Sequence, residues 1–268
     1  MTSKVPTVRS YEDSAVVIAG GSSGIGYSSA ERFIKAGVRR IALLSKDPGR
    51  GADARNRLLA LPTASVGDMQ VHHVPFDATD TSSVEDAVGE AHQLLGGLDA
   101  MVNSISSPYT PELLFKTSLH DIPAILAAQA IPPMLLSRAA LPYLTEGGGG
   151  SIVNVASDAA KAATPGETVL GAAMAAITMF TRTLAAEGKR NGIRANILTP
   201  SLIAGTPTTD RAMSGGFSKK LFEKAAPLAN LGVASADDQG ALVVFLCGPG
   251  AARLTGQAIS VNGGISLM

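Results

Sequence analysis

The sequence predicts an α/β fold, a doubly wound parallel sheet of about seven strands with helices on both faces. Three observations predict it. Short β-branched runs alternate with longer helical stretches, the pattern of parallel strands joined by crossover helices. Several of these runs are continuously apolar, as strands covered on both faces must be. The first run also leads straight into a glycine-rich loop and then an amphipathic helix.

In chain order the strands are expected at residues 15–19, 41–44, 70–74, 100–103, 151–155, 194–198 and 258–261. Helices are expected at 24–36, 52–61, 82–95, 120–144, 169–188, 216–224 and 236–246. The four glycines at 147–150 read as a surface turn before the fifth strand, not as a phosphate loop. No repeat or linker divides the chain, so residues 1–268 are expected to form one domain, with 1–13 a flexible N-terminal segment.

With 46% hydrophobic and 16% charged residues the chain can bury a large core. Lys plus Arg equals Asp plus Glu, at 22 each, so the excess positive charge that nucleic acid or an anionic membrane demands is missing. The single cysteine, Cys247, has no internal partner, and its apolar neighbours make it a buried thiol rather than a nucleophile. Residues 1–14 lack the apolar core of a signal peptide, and no apolar run is expected to reach the ~20 residues of a bilayer span. A cytoplasmic protein acting on a small molecule is expected, with no nucleic-acid, membrane or metal partner.

Ligands of such sheets bind beyond the carboxyl ends of the strands. There the first strand runs into Gly20, Ser22, Ser23, Gly24, Ile25 and Gly26. Glycines let backbone approach a pyrophosphate resting on the N–H groups of the following helix, so this is read as the dinucleotide loop of a Rossmann-type domain. A tight structural turn is the alternative. The second strand ends at Ser45 and Lys46 without the carboxylate that would hold the ribose hydroxyls of NAD, and Lys46 would attract the 2′-phosphate of NADP(H). Asp47 next door weighs against that preference. Asp77 suits the adenine amino edge or, equally, a turn. Asn103 ends the fourth strand, placed to tie the cofactor-side loops together.

Together these pieces resemble the short-chain dehydrogenase/reductase family from Ser14 to Gly264. The glycine loop matches the family's TGxxxGIG from Ala19 to Gly26, and the segment after strand four keeps only the first residue of NNAG, Asn103. Residues 151–157, ending in Ser157, resemble the stretch carrying the catalytic serine. Residues 196–201, with Pro200, resemble the nicotinamide-side loop, after which Ile203 and Thr206 would meet the carboxamide and phosphates. The resemblance implies NADP(H) binding, assembly as a homotetramer or homodimer through helices 120–144 and 169–188, and a substrate lid at 205–227 hinged at Gly215 and Gly216.

The resemblance breaks at the chemistry. The family uses a Tyr-x-x-x-Lys pair to exchange a proton with the substrate oxygen and hold the nicotinamide ribose. Those positions here are Leu170 and Met174, which can do neither. Gln129 stands where the family has the asparagine of a water relay, so only Ser157 survives of the four. Pro133 and Pro132 deprive the Gln129 and Ala128 carbonyls of their helical partners, which either preserves a polar site or simply bends the helix. Candidate replacements for the acid are Tyr109 after strand four, Asp158 and Lys161 after Ser157, and Glu167, which the helix dipole alone would also explain. The histidines, His72, His73, His92 and His120, fit no catalytic position. Three functions follow: an NADP(H)-dependent oxidoreductase acting on an activated C=C, C=N or C=O bond of a small apolar substrate, a silent NADP(H)-binding sensor or partner subunit, or a repurposed isomerase, lyase or cyclase.

Overall fold

The computed structural model describes residues 8–65 and 68–268. The main sheet has seven parallel strands: β1 (Ala15–Ala19), β2 (Arg40–Ser45), β3 (Gln70–Pro75), β4 (Ala100–Asn103), β5 (Gly150–Val155), β6 (Ile193–Leu198) and, at one edge, a two-residue strand at Ala258–Ile259. Two further short strands, β7 (Ile203–Ala204) and β8 (Ala234–Ser235), form a separate ladder, which makes the edge strand β9. The spatial order is β3-β2-β1-β4-β5-β6-β9. Chain direction across the sheet therefore reverses between β1 and β4, where a crevice opens at the carboxyl ends.

The helices are α1 (Gly24–Lys35), α2 (Pro48–Leu59), α3 (Thr81–Leu95), α4 (Asp121–Glu146), α5 (Thr168–Gly188), α6 (Pro207–Met213), α7 (Gly216–Ala225) and α8 (Ala236–Cys247). β1 shows why the sheet is sandwiched. All five residues are fully buried; Ala15, Val17 and Ala19 join the core under α3, α4 and α5, while Val16 and Ile18 join the one under α1, α2 and α8. Alternate side chains point to opposite faces, so a strand covered twice must be apolar throughout. Burying each such Val or Ile stabilises the fold by about 1.5–3 kcal/mol.

Caps set most helix starts. Asp47 accepts from the Arg50 amide ahead of Pro48, Asp80 accepts from Ser83, and Ser235 and Asp238 form a reciprocal box on α8. At the other end of α8, the buried Arg194 of β6 donates to the carbonyls of Leu246, Cys247 and Ala251 at 2.6, 3.0 and 2.9 Å. A buried cation is stable there because it meets the negative end of a helix.

Two expectations change. Helix α4 and the helical stretch at Thr168–Asn191 are 26 and 24 residues long with mean hydropathy of 1.4 and 1.5, so length and composition would let each cross a bilayer. Their alanines raise hydropathy without bulk, and the buried faces pack on the sheet and on each other. Of the N-terminal segment, residues 1–7 lie outside the described residues. Beyond them Arg9 pairs with Asp99 at 3.0 Å, and the Tyr11 hydroxyl donates to the Val244 carbonyl at 3.1 Å, so residues 8–13 are tied down.

Candidate functional site

A cavity of about 580 Å³ opens at the carboxyl ends of β1, β2, β4, β5 and β6. At one end it is lined by Gly20, Ser22, Ser23, Gly24 and Ile25. Gly20 and Gly24 have φ of +77° and +53°, and a Cβ on Gly20 would lie 2.7 Å from the Ser104 carbonyl oxygen. Gly26 is not on the wall. It lets α1 pack on the loop, since a Cβ there would lie 2.3 Å from the Gly20 oxygen. Unlike α2, α3 and α8, α1 has no side-chain cap: Ser23 leaves the first-turn N–H groups without one. Amides aimed into a cavity with the positive end of a helix behind them suit a phosphate.

Beside this loop the Lys46 ammonium and the Asp77 carboxylate are 2.8 Å apart, and both line the cavity. Asp77 also accepts from the Thr79 amide and hydroxyl at 2.9 and 2.6 Å, so it orders the turn after β3 as well. Lys46 holds its carboxyl well below the usual range, with Thr79 adding to the effect. Asp47 is engaged in capping α2 and pairing with Arg50, whose side chain reaches the same wall. Arg50 was missed because α2 was expected to begin later. Ser45 lines the cavity as well, its hydroxyl 2.9 Å from His73 Nε2, and burial depresses the pKa of that imidazole.

Asn103 is corrected outright. Its Nδ2 donates to Asn154 Oδ1 at 2.6 Å and to Ser137, inside the core, so it ties β4 to β5 and α4 rather than the cofactor-side loops.

At the far end the wall contains Tyr109, Gln129, Ser157, Glu167, Leu170, Met174, Pro200, Ile203 and Thr206. Ser157 Oγ accepts from the Ala159 amide at 3.2 Å, which leaves its O–H free to donate. Helix α4 runs unbroken through Pro132 and Pro133, with Ala128, Gln129 and Pro132 facing the cavity. Thr206 caps α6 and stands over Gly24. The lid region folds as α6 and α7, with Arg211 of α6 lining the cavity, a residue with no motif to betray it.

Asp158 and Lys161 do not line the cavity. Asp158 accepts from Ser260, Asn262 and Ser266 at 2.8, 2.6 and 2.7 Å, while Lys161 donates to Ser260 and to the Met268 carbonyl, both at 2.7 Å. They fasten the C-terminal tail, a long-range partnership that no local pattern announces. Glu167 stays in the site. Its side chain does not cap α5; burial pushes the carboxyl up to about 7, with the negative charge of Asp158 acting the same way and the Thr164 hydroxyl opposing. Burial likewise raises the Cys247 thiol to about 11, which leaves it an unreactive thiol.

Comparison with known proteins places this architecture. Residues 19–266 match the family described as enoyl-(acyl carrier protein) reductase. The chain is 30% identical over 257 residues to momilactone A synthase of Oryza sativa subsp. japonica, covering 94% of this chain and 89% of that protein. The structure of 3-ketoacyl-(acyl-carrier-protein) reductase from Brucella melitensis, complexed with NADH, superposes with a TM-score of 0.83 at 25% identity, covering 96% and 100% of the two chains. L-Sorbose reductase from Gluconobacter frateurii, complexed with NADPH and L-sorbose, gives 0.82 at 28%, covering 97% and 100%. A seven-stranded parallel sheet with this strand order and a match over nearly the whole length lead to one conclusion: the chain belongs to the short-chain dehydrogenase/reductase family of oxidoreductases.

Proposed function

We propose that this chain, as one dinucleotide-binding domain, is an NADP(H)-dependent reductase of an activated C=C, C=N or C=O bond in a small apolar substrate. One observation carries the reading: a single cavity joins the uncapped start of α1, Lys46 and Arg50 to Ser157, Leu170 and Met174. The α1 amides suit the pyrophosphate, Lys46 and Arg50 suit a 2′-phosphate, and Pro200, Ile203 and Thr206 flank the nicotinamide end. When bound there, the reduced nicotinamide supplies a hydride.

The chain's own residues do the rest. The Ser157 hydroxyl donates to the substrate oxygen, where negative charge develops. The carbonyls that Pro132 and Pro133 leave unpaired, with the Gln129 amide, give α4 polar atoms beside it. Leu170 and Met174 shape an apolar wall. With no phenol–ammonium pair the site favours conjugated substrates, which spread the developing charge themselves. Helices α4 and α5 expose Leu126, Ile131 and Met179, a surface suited to a homodimer or homotetramer.

The test is consumption of NADPH with conjugated ketones, imines and simple ketones, followed by absorbance. Turnover of the conjugated substrates is expected. NADPH that binds tightly and is consumed by none of them would end the reductase reading in favour of a silent binder. The double variant Leu170→Tyr with Met174→Lys is expected to gain reduction of simple ketones.

A further inference from the structure

Resting on that reductase reading, we propose that Glu167 is the general acid of the reaction, its carboxyl passing a proton to the substrate oxygen held by Ser157. Residues 170 and 174 share one face of α5, Glu167 immediately precedes its first turn, and all three line the cavity. Side chains on a helix lean toward its N-terminus, so the space a residue at 170 would cover lies over the turn that begins at Glu167. Leucine leaves that space without a proton donor, and Glu167, three residues earlier in the chain, lines the same cavity.

The surroundings keep the carboxyl available. It makes no cap to α5, so the helix does not require it as a hydrogen-bond acceptor. The ring of Phe217 of α7 packs against Gly166 and keeps that side apolar. The charged groups around it come from three segments. Asp158 and Lys161 sit 3.8 Å apart in the tail network. Glu112, in the loop after β4, bonds through its backbone to Gly166, while its carboxylate accepts from the Leu113 amide. Arg211 enters the cavity wall from α6 and donates to the Ser107 carbonyl and the Thr208 hydroxyl. Lys161 is thus committed elsewhere, and burial dominates. A carboxyl pushed up to about 7 is half protonated at neutral pH, which suits a group that donates in one direction and accepts in the other.

The step balances. Two electrons and one hydrogen reach the substrate carbon as hydride, and the π pair of the C=O bond moves onto oxygen. That oxygen takes the proton of Glu167, and the carboxylate recovers one from solvent at the cavity mouth. For a conjugated C=C bond the hydride goes to the distal carbon, and the same carboxyl protonates the enolate oxygen.

The experiment uses the full chain with NADPH and 2-cyclohexenone, a quinone and an aryl ketone as probes. For Glu167→Gln we expect NADPH affinity within about twofold of the parent, a Tm no lower than the parent's, KM little changed, and kcat down by roughly 10²-fold or more. The fall of the parent's kcat/KM above neutral pH should vanish in this variant, and Glu167→Asp should restore part of the rate with a shifted pH midpoint. In parallel, protein carrying carboxyl-¹³C glutamate should show one resonance titrating near neutrality that Glu167→Gln removes. A parent that consumes none of the probes sinks the reductase reading itself. A Glu167→Gln protein that turns over as fast as the parent, with the same pH limb, overturns only the role of Glu167. If Glu167→Gln does not fold, an unchanged pH profile in Glu167→Asp overturns it equally.

Discussion

The Lys46 ammonium and the Asp77 carboxylate meet at 2.8 Å across the carboxyl ends of β2 and β3. Two residues expected to serve the adenosine half separately thus hold each other. The pair is exposed, at 79% and 39% of the side-chain surface, and exposed ion pairs are weak. A phosphate dianion can therefore draw Lys46 away at little cost. Lys46→Ala is expected to weaken NADPH binding by about tenfold while leaving NADH binding within about twofold. Fluorescence titration of both nucleotides checks it; equal losses would show that Lys46 does not read the phosphate.

Gly26 predicts a packing effect separate from strain. A Cβ at this site meets the Gly20 oxygen at 2.3 Å and Ser104 Oγ at 2.5 Å, and backbone cannot swing aside. Gly26→Ala should cost about 1–3 kcal/mol and lower NADPH affinity by displacing α1 from the loop. Gly24 has the less favourable φ of +53° for a side chain, yet its nearest neighbour is 3.9 Å away. Thermal unfolding should show the larger loss for Gly26→Ala.

Asp158 predicts a loss of stability without loss of binding. Replacing it by Asn keeps the shape but puts an NH₂ against the donors of Asn262 or Ser260. A cost of about 1–3 kcal/mol follows from donors left unpaired in a buried site. Hydrogen exchange should report loss of protection at residues 262–266, with NADPH affinity retained. Loss of turnover alone, with Tm unchanged, would contradict the structural role.

Glu167 predicts a pH dependence of folding. Its carboxyl rises from an ordinary 4.5 to about 7 on folding, so between those values the folded chain binds more protons than the unfolded one. Stability therefore declines as pH rises through that window, the contribution being complete below 4.5 and gone above about 7. The full swing is on the order of 3 kcal/mol. Chemical denaturation of the parent and Glu167→Gln at pH values across the window should converge at the acid end if the parent's extra slope comes from this carboxyl.

The contrast between residues that were legible and those that were not has a physical basis. The glycine loop and the apolar strands announce themselves because their constraints are local: backbone conformation, period-two burial and the spacing from strand to helix. Leu170 and Met174 were identified by counting from Ser157, and both line the cavity. Asn103, Asp158 and Lys161 were misassigned because their partners are 51, 104 and 107 positions away. Arg50 and Arg211 were overlooked because one lies just before an expected helix and the other in a short helix without a signal.

What the sequence by itself determined is the fold and the place of the site. Alternation of apolar strands with helices admits a parallel sheet, and glycines after β1 admit a phosphate at its carboxyl end. It also determined what is missing, since leucine and methionine cannot move protons. Only the tertiary structure decided which of the candidate polar residues stand at the cavity, keeping Tyr109, Gln129 and Ser157 in its wall. It drew Asp158 and Lys161 into the C-terminal tail and left Glu167 in the cavity wall, where burial raises its carboxyl to about 7. The reason is that protonation depends on the solvent and charges around a group, and those are assembled from segments far apart in the chain.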